Sequence, residues 1–224
     1  MIPNLRRSAP IAAACACVFA AGLAHAGILV PIPGLFNTGL TAGGMPAPFG
    51  MPDANYVVSA SADPGAPAGG PAMVPFPAGA WAPNSPTSQW INPIGVPDFQ
   101  PGGIYAYTTT FLLPPSLDPA TATIFGLWGA DDENVDIVLN TVPLGIARAG
   151  SPDYTTLAAF SIPAGSPFAT GLNTLTFVTS NVSAFGPTGL RIEGMMGLAA
   201  EVPAPGPAGL MGLAALAGIG RRRR

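Results

Sequence analysis

The sequence predicts an all-β protein with one antiparallel β-sandwich between two targeting segments. Three observations carry this prediction. The chain is long enough for a single core. Its apolar segments are short, keep a period of two, and are separated by turns rich in the 29 glycines and 28 prolines. No window of helical length keeps a period of 3.6. Many short strands divided by Gly/Pro turns favour a sandwich.

The stretch Ile124 to Leu144 predicts two strands joined by an acidic turn. Its first part is apolar or small on both faces, which is typical of a strand covered on both sides. Asp131 to Asn134 then interrupts the apolar pattern, and Val135, Ile137 and Leu139 resume a period of two. Asn140-Thr141 stands where a hairpin turn begins, since Asn tolerates the left-handed conformation.

Further strands are expected on both sides of this pair. We predict an irregular Pro/Gly-rich arm over 27–54 and the sandwich over 55–200. Tyr, Thr and Phe make Ile104 to Leu113 the clearest strand outside the central stretch. The other predicted strands are Asn55 to Ser59, Ala72 to Phe76, Leu157 to Ile162, Asn173 to Thr179 and Gly189 to Gly194.

The composition excludes several kinds of chemistry. Cys15, Cys17 and His25 are the only cysteines and histidine, and all three precede residue 27. Residues 27–200 therefore hold no Cys nucleophile, no Ser-His-Asp triad and no imidazole or thiolate metal site. The same residues carry ten acids against two arginines, a net charge of −8, which disfavours nucleic acid. We expect no enzyme, because a carboxylate-pair glycosidase also needs a cleft that no pattern here predicts.

Residues 1–26 have the three parts of a secretory signal peptide. Arg6 and Arg7 precede an apolar run, Ile11 to Leu23, and Ala24-His25-Ala26 is an A-x-A cleavage site. The run is short for a membrane span. We therefore expect signal peptidase to cleave before Gly27. A twin-arginine signal and a lipobox fit less well, because the flanking residues that each requires are missing.

The last two dozen residues combine a short motif, an apolar segment and a basic cluster. Val202-Pro203-Ala204-Pro205 precedes Gly206 to Gly220, and Arg221, Arg222, Arg223 and Arg224 end the sequence. This order resembles the PEP-CTERM sorting signal of Gram-negative bacteria that produce exopolysaccharide, although Ala204 stands where that family usually has Glu. The resemblance implies recognition by an exosortase and a transient anchor in the inner membrane. If the resemblance is set aside, the same segment is interpreted as a short membrane tail held by a basic cluster.

A second resemblance covers Asn55 to Gly194. The segments YAYTTTF, W-x-A-D at Trp128 to Asp131, IVLN, GLNTLTFVTSN and PTGLRIEG follow one another in order. This order is similar to that of galactose-binding-like jelly-roll domains. The resemblance implies a fold that hosts glycan binders, adhesion modules and structural domains, so it leaves the function open.

The acidic turn offers one candidate metal site. Asp131, Asp132, Glu133 and Asp136 supply the oxygen ligands that Ca²⁺ prefers, but their spacing is not that of an EF-hand. The alternative is a solvated acidic turn. A structural calcium is common in jelly-roll domains of the resembled type, so both interpretations stay open.

The aromatic residues offer a candidate sugar site. Trp81 and Trp90 lie among turn residues and are the better candidates for a stacking platform, with Arg191 gripping hydroxyl groups. Either tryptophan can instead cap the sandwich, and Arg191 fits the sheet surface or an ion pair as well. Trp128, inside an apolar strand, is predicted to be core.

Two classes of function follow from these patterns. The first is a non-catalytic module, exported to the cell surface or extracellular matrix, that binds exopolysaccharide or another surface glycan. The second is a structural or adhesive matrix component without a small ligand. Exposed aromatic residues beside acids or Arg favour the first class, and buried tryptophans favour the second.

Overall fold

The structure, a computed structural model, describes residues 27–96, 99–148 and 153–202. These residues form ten strands and one short 3-10 helix, Pro119–Thr121. The strands are β1 Leu29–Pro31, β2 Pro52–Ala60, β3 Pro71–Met73, β4 Gln100–Leu113, β5 Thr123–Asp131, β6 Glu133–Leu139, β7 Val142–Pro143, β8 Ala158–Ile162, β9 Gly171–Gly186 and β10 Gly189–Ala200.

The strands make two antiparallel sheets, which confirms the predicted β-sandwich. The four-stranded sheet has the order β1-β10-β5-β8, and the six-stranded sheet has the order β3-β2-β4-β9-β6-β7. Inward side chains of both sheets form the main core, in which Trp128 is 1% exposed and packs near Phe160 and Phe177. The prediction that Trp128 is a core residue is confirmed.

The hairpin between β6 and β7 has the predicted turn. Asn140 and Thr141 have φ values of 50° and 71°, and Leu139 pairs with Val142, so the loop has two residues. Positive φ at both central positions is the signature of a type I′ turn. The side-chain carbonyl of Asn140 also accepts from the backbone N–H of Thr174 at 2.9 Å, which ties the turn to β9.

Two details differ from the sequence prediction. Segment 27–54 is not an arm outside the sandwich, because β1 pairs with β10 and Ile32, Leu40 and Ala47 are buried. On β5, Phe125 and Leu127 are 38% and 40% exposed, so this strand is covered on one face only along that part. An apolar run predicts burial on both faces, but here β8 and β10 occupy the edges of β5 and leave its outer face open.

Candidate functional site

The acidic segment carries the chain from one sheet to the other. β5 lies in the four-stranded sheet and β6 in the six-stranded sheet, so the predicted strand-turn-strand unit is a crossover rather than a pair of neighbouring strands. A register shift between Asn134 and Asp136 buries Asn134 and leaves Val135 exposed. Asp131 and Asp132 stand at the crossing itself.

Above this crossing, a loop packs two tryptophans onto the outer face of the four-stranded sheet. Trp81 and Trp90 lie 4.6 Å apart between ring centroids and form a second small apolar cluster. Gly189 leaves room for the Trp81 ring, and Gly129 lies in ordinary contact with the Trp90 ring. A Cβ on Gly189 would lie 2.9 Å from the Trp81 ring, and a Cβ on Gly129 would lie 3.4 Å from the Trp90 ring.

This packing corrects the predicted stacking platform. Trp90 is 0% exposed and Trp81 is 5% exposed, so neither presents a free ring face to a sugar. The indole nitrogen of Trp90 donates to the carbonyl oxygen of Ala82 at 2.8 Å, as a buried tryptophan requires. Trp90 caps the sandwich, and Trp81 contributes only an edge to the adjoining pocket.

Arg191 lies under the same loop and is 3% exposed. Its guanidinium donates to the Ser88 hydroxyl at 2.8 Å and to the Pro83 carbonyl, and it pairs with the Glu193 carboxylate at 2.7 Å. The predicted ion pair with an acidic neighbour is therefore present, and the guanidinium, buried and held by these partners, is not presented to a ligand. Arg191 does point away from the main core, but the loop covers it.

A pocket opens where the tryptophan loop meets the crossing. Its volume is about 190 Å³. It is lined by Ala78, Ala80, Trp81, Asp131, Asp132, Tyr154, Ser183 and Pro187, and we call it the corner pocket. The indole nitrogen of Trp81 donates to a carboxyl oxygen of Asp131 at 2.6 Å. The structure thus brings together one residue predicted for sugar binding and two predicted for metal binding.

The four predicted calcium ligands do not converge. Asp132 accepts from the backbone N–H groups of Val182 and Ser183, whereas Asp136, on β6, accepts from those of Ile137 and Ile146. Glu133 lies opposite Ser180 in the β6–β9 ladder. Across 27–96, 99–148 and 153–202, no group of three or more Asp, Glu, His or Cys side chains is placed to hold a metal ion. The described residues therefore do not support the hypothesis of a calcium site in the acidic turn.

Asp131 has an unusual protonation equilibrium. Burial raises the pKa of its carboxyl group to about 7, the hydrogen bond from Trp81 opposes this rise, and the neighbouring Asp132 carboxyl adds to it through a hydrogen bond and its charge. Two carboxyl groups in such contact do not both ionise readily. Near neutral pH, the Asp131 carboxyl is therefore close to half protonated.

This equilibrium predicts how stability depends on pH. The folded-state pKa of Asp131, about 7, lies above the ordinary value of 3.8, so the folded chain keeps a proton that the unfolded chain releases. The contribution of Asp131 to the free energy of unfolding is therefore largest at low pH and falls as pH rises from about 4 to about 7. Asp131→Asn, which keeps an acceptor for Trp81, is expected to remove that fall, which is on the order of a few kcal/mol.

Urea unfolding of residues 27–202 at pH 5 and pH 8 measures this effect. Asp63→Asn is the matched control, because Asp63 lies on a distant loop. An Asp131→Asn variant that loses as much stability as the unmodified protein between the two pH values would contradict the assignment.

Five of the eight lining residues of the pocket were not predicted from the sequence, and two of these five, Tyr154 and Ser183, have polar side chains. Tyr154 is half-buried next to Trp81, and the backbone N–H of Ser183 donates to Asp132. Ser183 belongs to β9, which extends seven residues beyond the predicted Thr179. No local pattern around Tyr154 sets it apart, because its place in the pocket depends on a loop about 70 residues earlier in the chain.

The predicted sorting signal lies almost wholly outside the described residues. Of the predicted segment 201–224, Glu201 and Val202 belong to them, while Pro203, Pro205 and the four terminal arginines do not. The predicted signal peptide also lies outside them. In the part of the chain that the structure describes, no helix is long and apolar enough to cross a membrane.

Comparisons with known proteins give distant likenesses only. No family model matches this chain, and no curated protein matches its sequence. A family 35 carbohydrate-binding module from Clostridium thermocellum is 14% identical, over 57% of this chain and 86% of the module, with a TM-score of 0.33. A cyclase from Fischerella sp. TAU is 12% identical, over 79% of this chain and 100% of the cyclase, with a TM-score of 0.42. At these TM-scores the two likenesses carry no conclusion about fold, ligand or activity, and the two-sheet antiparallel sandwich rests on the strand pairing itself.

Proposed function

We propose that this chain is an exported cell-surface or matrix protein whose galactose-binding-like β-sandwich binds a glycan in the corner pocket without cleaving it. One observation carries the proposal. The pocket places the half-buried Tyr154 beside the acids Asp131 and Asp132 and beside Ser183. Tyr154 is its aromatic surface, because Trp81 contributes only an edge. Aromatic surface contacts the C–H face of a sugar ring, and carboxyl and hydroxyl oxygens bind its hydroxyl groups.

The size of the pocket limits the ligand. A volume of about 190 Å³ is smaller than the roughly 300 Å³ at which pockets for drug-sized ligands begin. The pocket therefore suits a single sugar unit at the end or on a branch of a chain. Longer stretches of glycan would run over the exposed loop residues beside it, such as Gly79 and Ala80.

The charge of the pocket selects among sugars. Asp131 and Asp132 are its charged groups, and the two arginines of the described residues are paired elsewhere, Arg148 with Asp153 and Arg191 with Glu193. A carboxylate on the ligand would meet like charge at short range. We therefore expect neutral and amino sugars to bind and uronic acids to be rejected.

Binding without cleavage fits the arrangement of the two acids. Glycosidases hold their carboxyl groups about 5 to 9.5 Å apart with the scissile bond between them. Asp131 and Asp132 are instead consecutive residues, and the Asp132 carboxyl is close enough to contribute to the raised pKa of Asp131. Each also accepts a structural hydrogen bond, from the Trp81 indole and from the backbone of Val182.

Delivery to the surface rests on the two terminal segments. The signal-peptide pattern of residues 1–26 and the PEP-CTERM-like order of 202–224 support export by signal peptidase and sorting by an exosortase. Expression of the full chain in a Gram-negative host, with and without an exosortase, tests this route. Surface delivery that does not depend on the exosortase would contradict it.

A blocking substitution tests the pocket. Ala80→Trp places a bulky ring on an exposed lining position, and we expect it to reduce glycan affinity at least tenfold without loss of stability, about 1.4 kcal/mol of binding free energy. Ala159→Trp, at an exposed position on β8, is the matched control. The measurement is a glycan array with neutral, amino and uronic sugars, followed by calorimetry on residues 27–202.

Three results would decide the matter. Saturable binding that Ala80→Trp weakens and Ala159→Trp leaves unchanged supports the proposal. Equal binding by both variants would place the glycan elsewhere. Release of reducing ends from the bound glycan would overturn the non-catalytic assignment.

A second candidate is the structural or adhesive matrix component. Burial of all three tryptophans favours it, and so do two pairs of exposed phenylalanines, Phe49 with Phe76 and Phe99 with Phe185. Phe99 and Phe185 are 63% and 62% exposed with ring centroids 6.1 Å apart. An array without any glycan hit, together with self-association abolished by Phe185→Ser, would favour this candidate.

A further inference from the structure

The two ends of the described chain lie side by side. The backbone N–H of Glu201 donates to the carbonyl of Ile28 at 3.1 Å, and Leu29 pairs with Ala200. Gly27 is so close that a Cβ on it would lie 2.8 Å from the Cβ of Ala200. The segment before residue 27 and the segment after residue 202 therefore leave the sandwich at one place.

Exposed apolar side chains gather at this end of the sandwich. The backbone N–H of Val202 donates to the carbonyl of Ser116, just beyond the end of β4, where Leu112 pairs with Leu172 of β9. We call this the exit end. Its exposed apolar residues are Ile28 at 71%, Leu29 at 59%, Leu112 at 54%, Leu172 at 69% and Val202 at 50%.

The corner pocket lies at the opposite end. β5 begins at Thr123, which pairs with Leu198 near the exit end, and finishes at Asp131, which pairs with Gly189 beside the pocket. Nine residues of extended chain span roughly 27 Å. The exit end thus carries exposed apolar side chains, and the carboxyl groups of Asp131 and Asp132 lie at the far end.

The length of chain beyond the sandwich limits how far it can stand from a membrane. Four residue steps separate Val202 from Gly206, where the apolar run Gly206 to Gly220 begins, and four separate Gly27 from Leu23, where the N-terminal apolar run ends. Each connection spans at most about 14 Å when fully extended. An apolar run placed in a bilayer therefore keeps the exit end within about 14 Å of the hydrocarbon core.

We propose that the exit end lies against the lipid bilayer while the chain is anchored, so that the corner pocket faces away from the membrane. The apolar residues of the exit end contact the interfacial region, where exposed apolar side chains are accommodated. This proposal rests on the anchoring part of the proposed function and not on glycan binding. It names a lipid surface as the partner of the exit end and fixes the orientation of the domain.

Site-directed labelling tests the orientation. The chain from Gly27 to Arg224 contains no cysteine, so single labels enter at Leu29→Cys and Leu172→Cys, with Phe185→Cys as a matched exposed apolar position at the far end. The labelled chains are reconstituted in vesicles of phosphatidylcholine and phosphatidylglycerol that contain headgroup spin-labelled lipid. We expect labels at positions 29 and 172 to be quenched several-fold more strongly than the label at position 185.

Flotation of the same vesicles distinguishes a failure of the proposed orientation from a failure of the proposed anchoring. Chains that float with equal quenching at positions 172 and 185 would overturn the orientation and leave the anchoring intact. Chains that do not float would overturn both. Stronger quenching at position 185 than at position 172 would show the reverse orientation, with the pocket against the membrane.

Discussion

Replacing Trp90 by alanine is expected to lower the free energy of unfolding by about 3–5 kcal/mol, the range for truncation of a buried aromatic side chain. Trp90 is 0% exposed, its ring lies against Trp81, and its indole nitrogen donates to Ala82. The truncation removes these contacts and leaves a cavity over Gly129, where no Cβ fills the space. Loss of glycan binding in this variant would follow from disorder of the pocket wall.

Urea unfolding of residues 27–202 measures the loss. Trp90→Phe is the graded control, because it keeps a ring and removes only the indole hydrogen bond, and we expect it to cost less than half as much. Phe185→Ala, at a 62% exposed position, is expected to change stability by less than about 0.5 kcal/mol. A Trp90→Ala variant as stable as the unmodified protein, with glycan binding abolished, would restore Trp90 as a ligand residue.

The second large effect is expected at Arg191. Arg191→Met keeps much of the apolar volume but removes the donors to Ser88 and Pro83 and the partner of Glu193. Breaking a buried ion pair from one side costs about 3–5 kcal/mol. Burial also lowers the pKa of Arg191 and the Glu193 charge opposes that shift, so the pair holds the guanidinium in its charged form.

Two companion variants separate charge from geometry. Arg191→Lys keeps the charge but loses the planar fork, so we expect an intermediate loss of stability. Glu193→Gln keeps an acceptor oxygen for the guanidinium and removes only the counter-charge on the 26% exposed side of the pair, so we expect the smallest loss of the three. We expect thermal unfolding to show the largest loss of stability for Arg191→Met, a smaller loss for Arg191→Lys and the smallest for Glu193→Gln. A neutral Arg191→Met variant would show that the loop does not depend on this pair.

Those features of the fold that rest on neighbouring residues could be predicted from the sequence. The alternation of apolar residues identified β4, β5 and β8, and Asn140-Thr141 identified a turn that needs positive φ. The ends of β9 and β10 were set too early, because their continuations gain backbone partners only from β4 and from β1 and β5.

The candidate site could be predicted only in part, because its contacts join distant parts of the chain. Trp81 meets Asp131 across 50 residues, and Arg191 meets Ser88 across 103. The type of each residue suggested an aromatic and acidic site, but burial depended on a loop whose path no local pattern describes. Gly129 and Gly189, the glycines beneath the indole rings, were the available signal for this packing.

The pairing of the first strand with the last also bears on how the chain folds. β1 joins the sheet only through β10, and β4 pairs with β9 across some 60 to 85 residues. Contacts between residues so far apart in sequence cost loop-closure entropy before they stabilise the chain. We therefore expect folding on the millisecond-to-second scale. During synthesis, which begins at the N-terminus, the chain cannot complete the four-stranded sheet until β10, the last strand, is free. The edge of β4 stays unpaired until β9 is free, and the edge of β5 stays unpaired until β10 is free. Both edges are open to other chains in this period, and it is then that chaperone protection matters most.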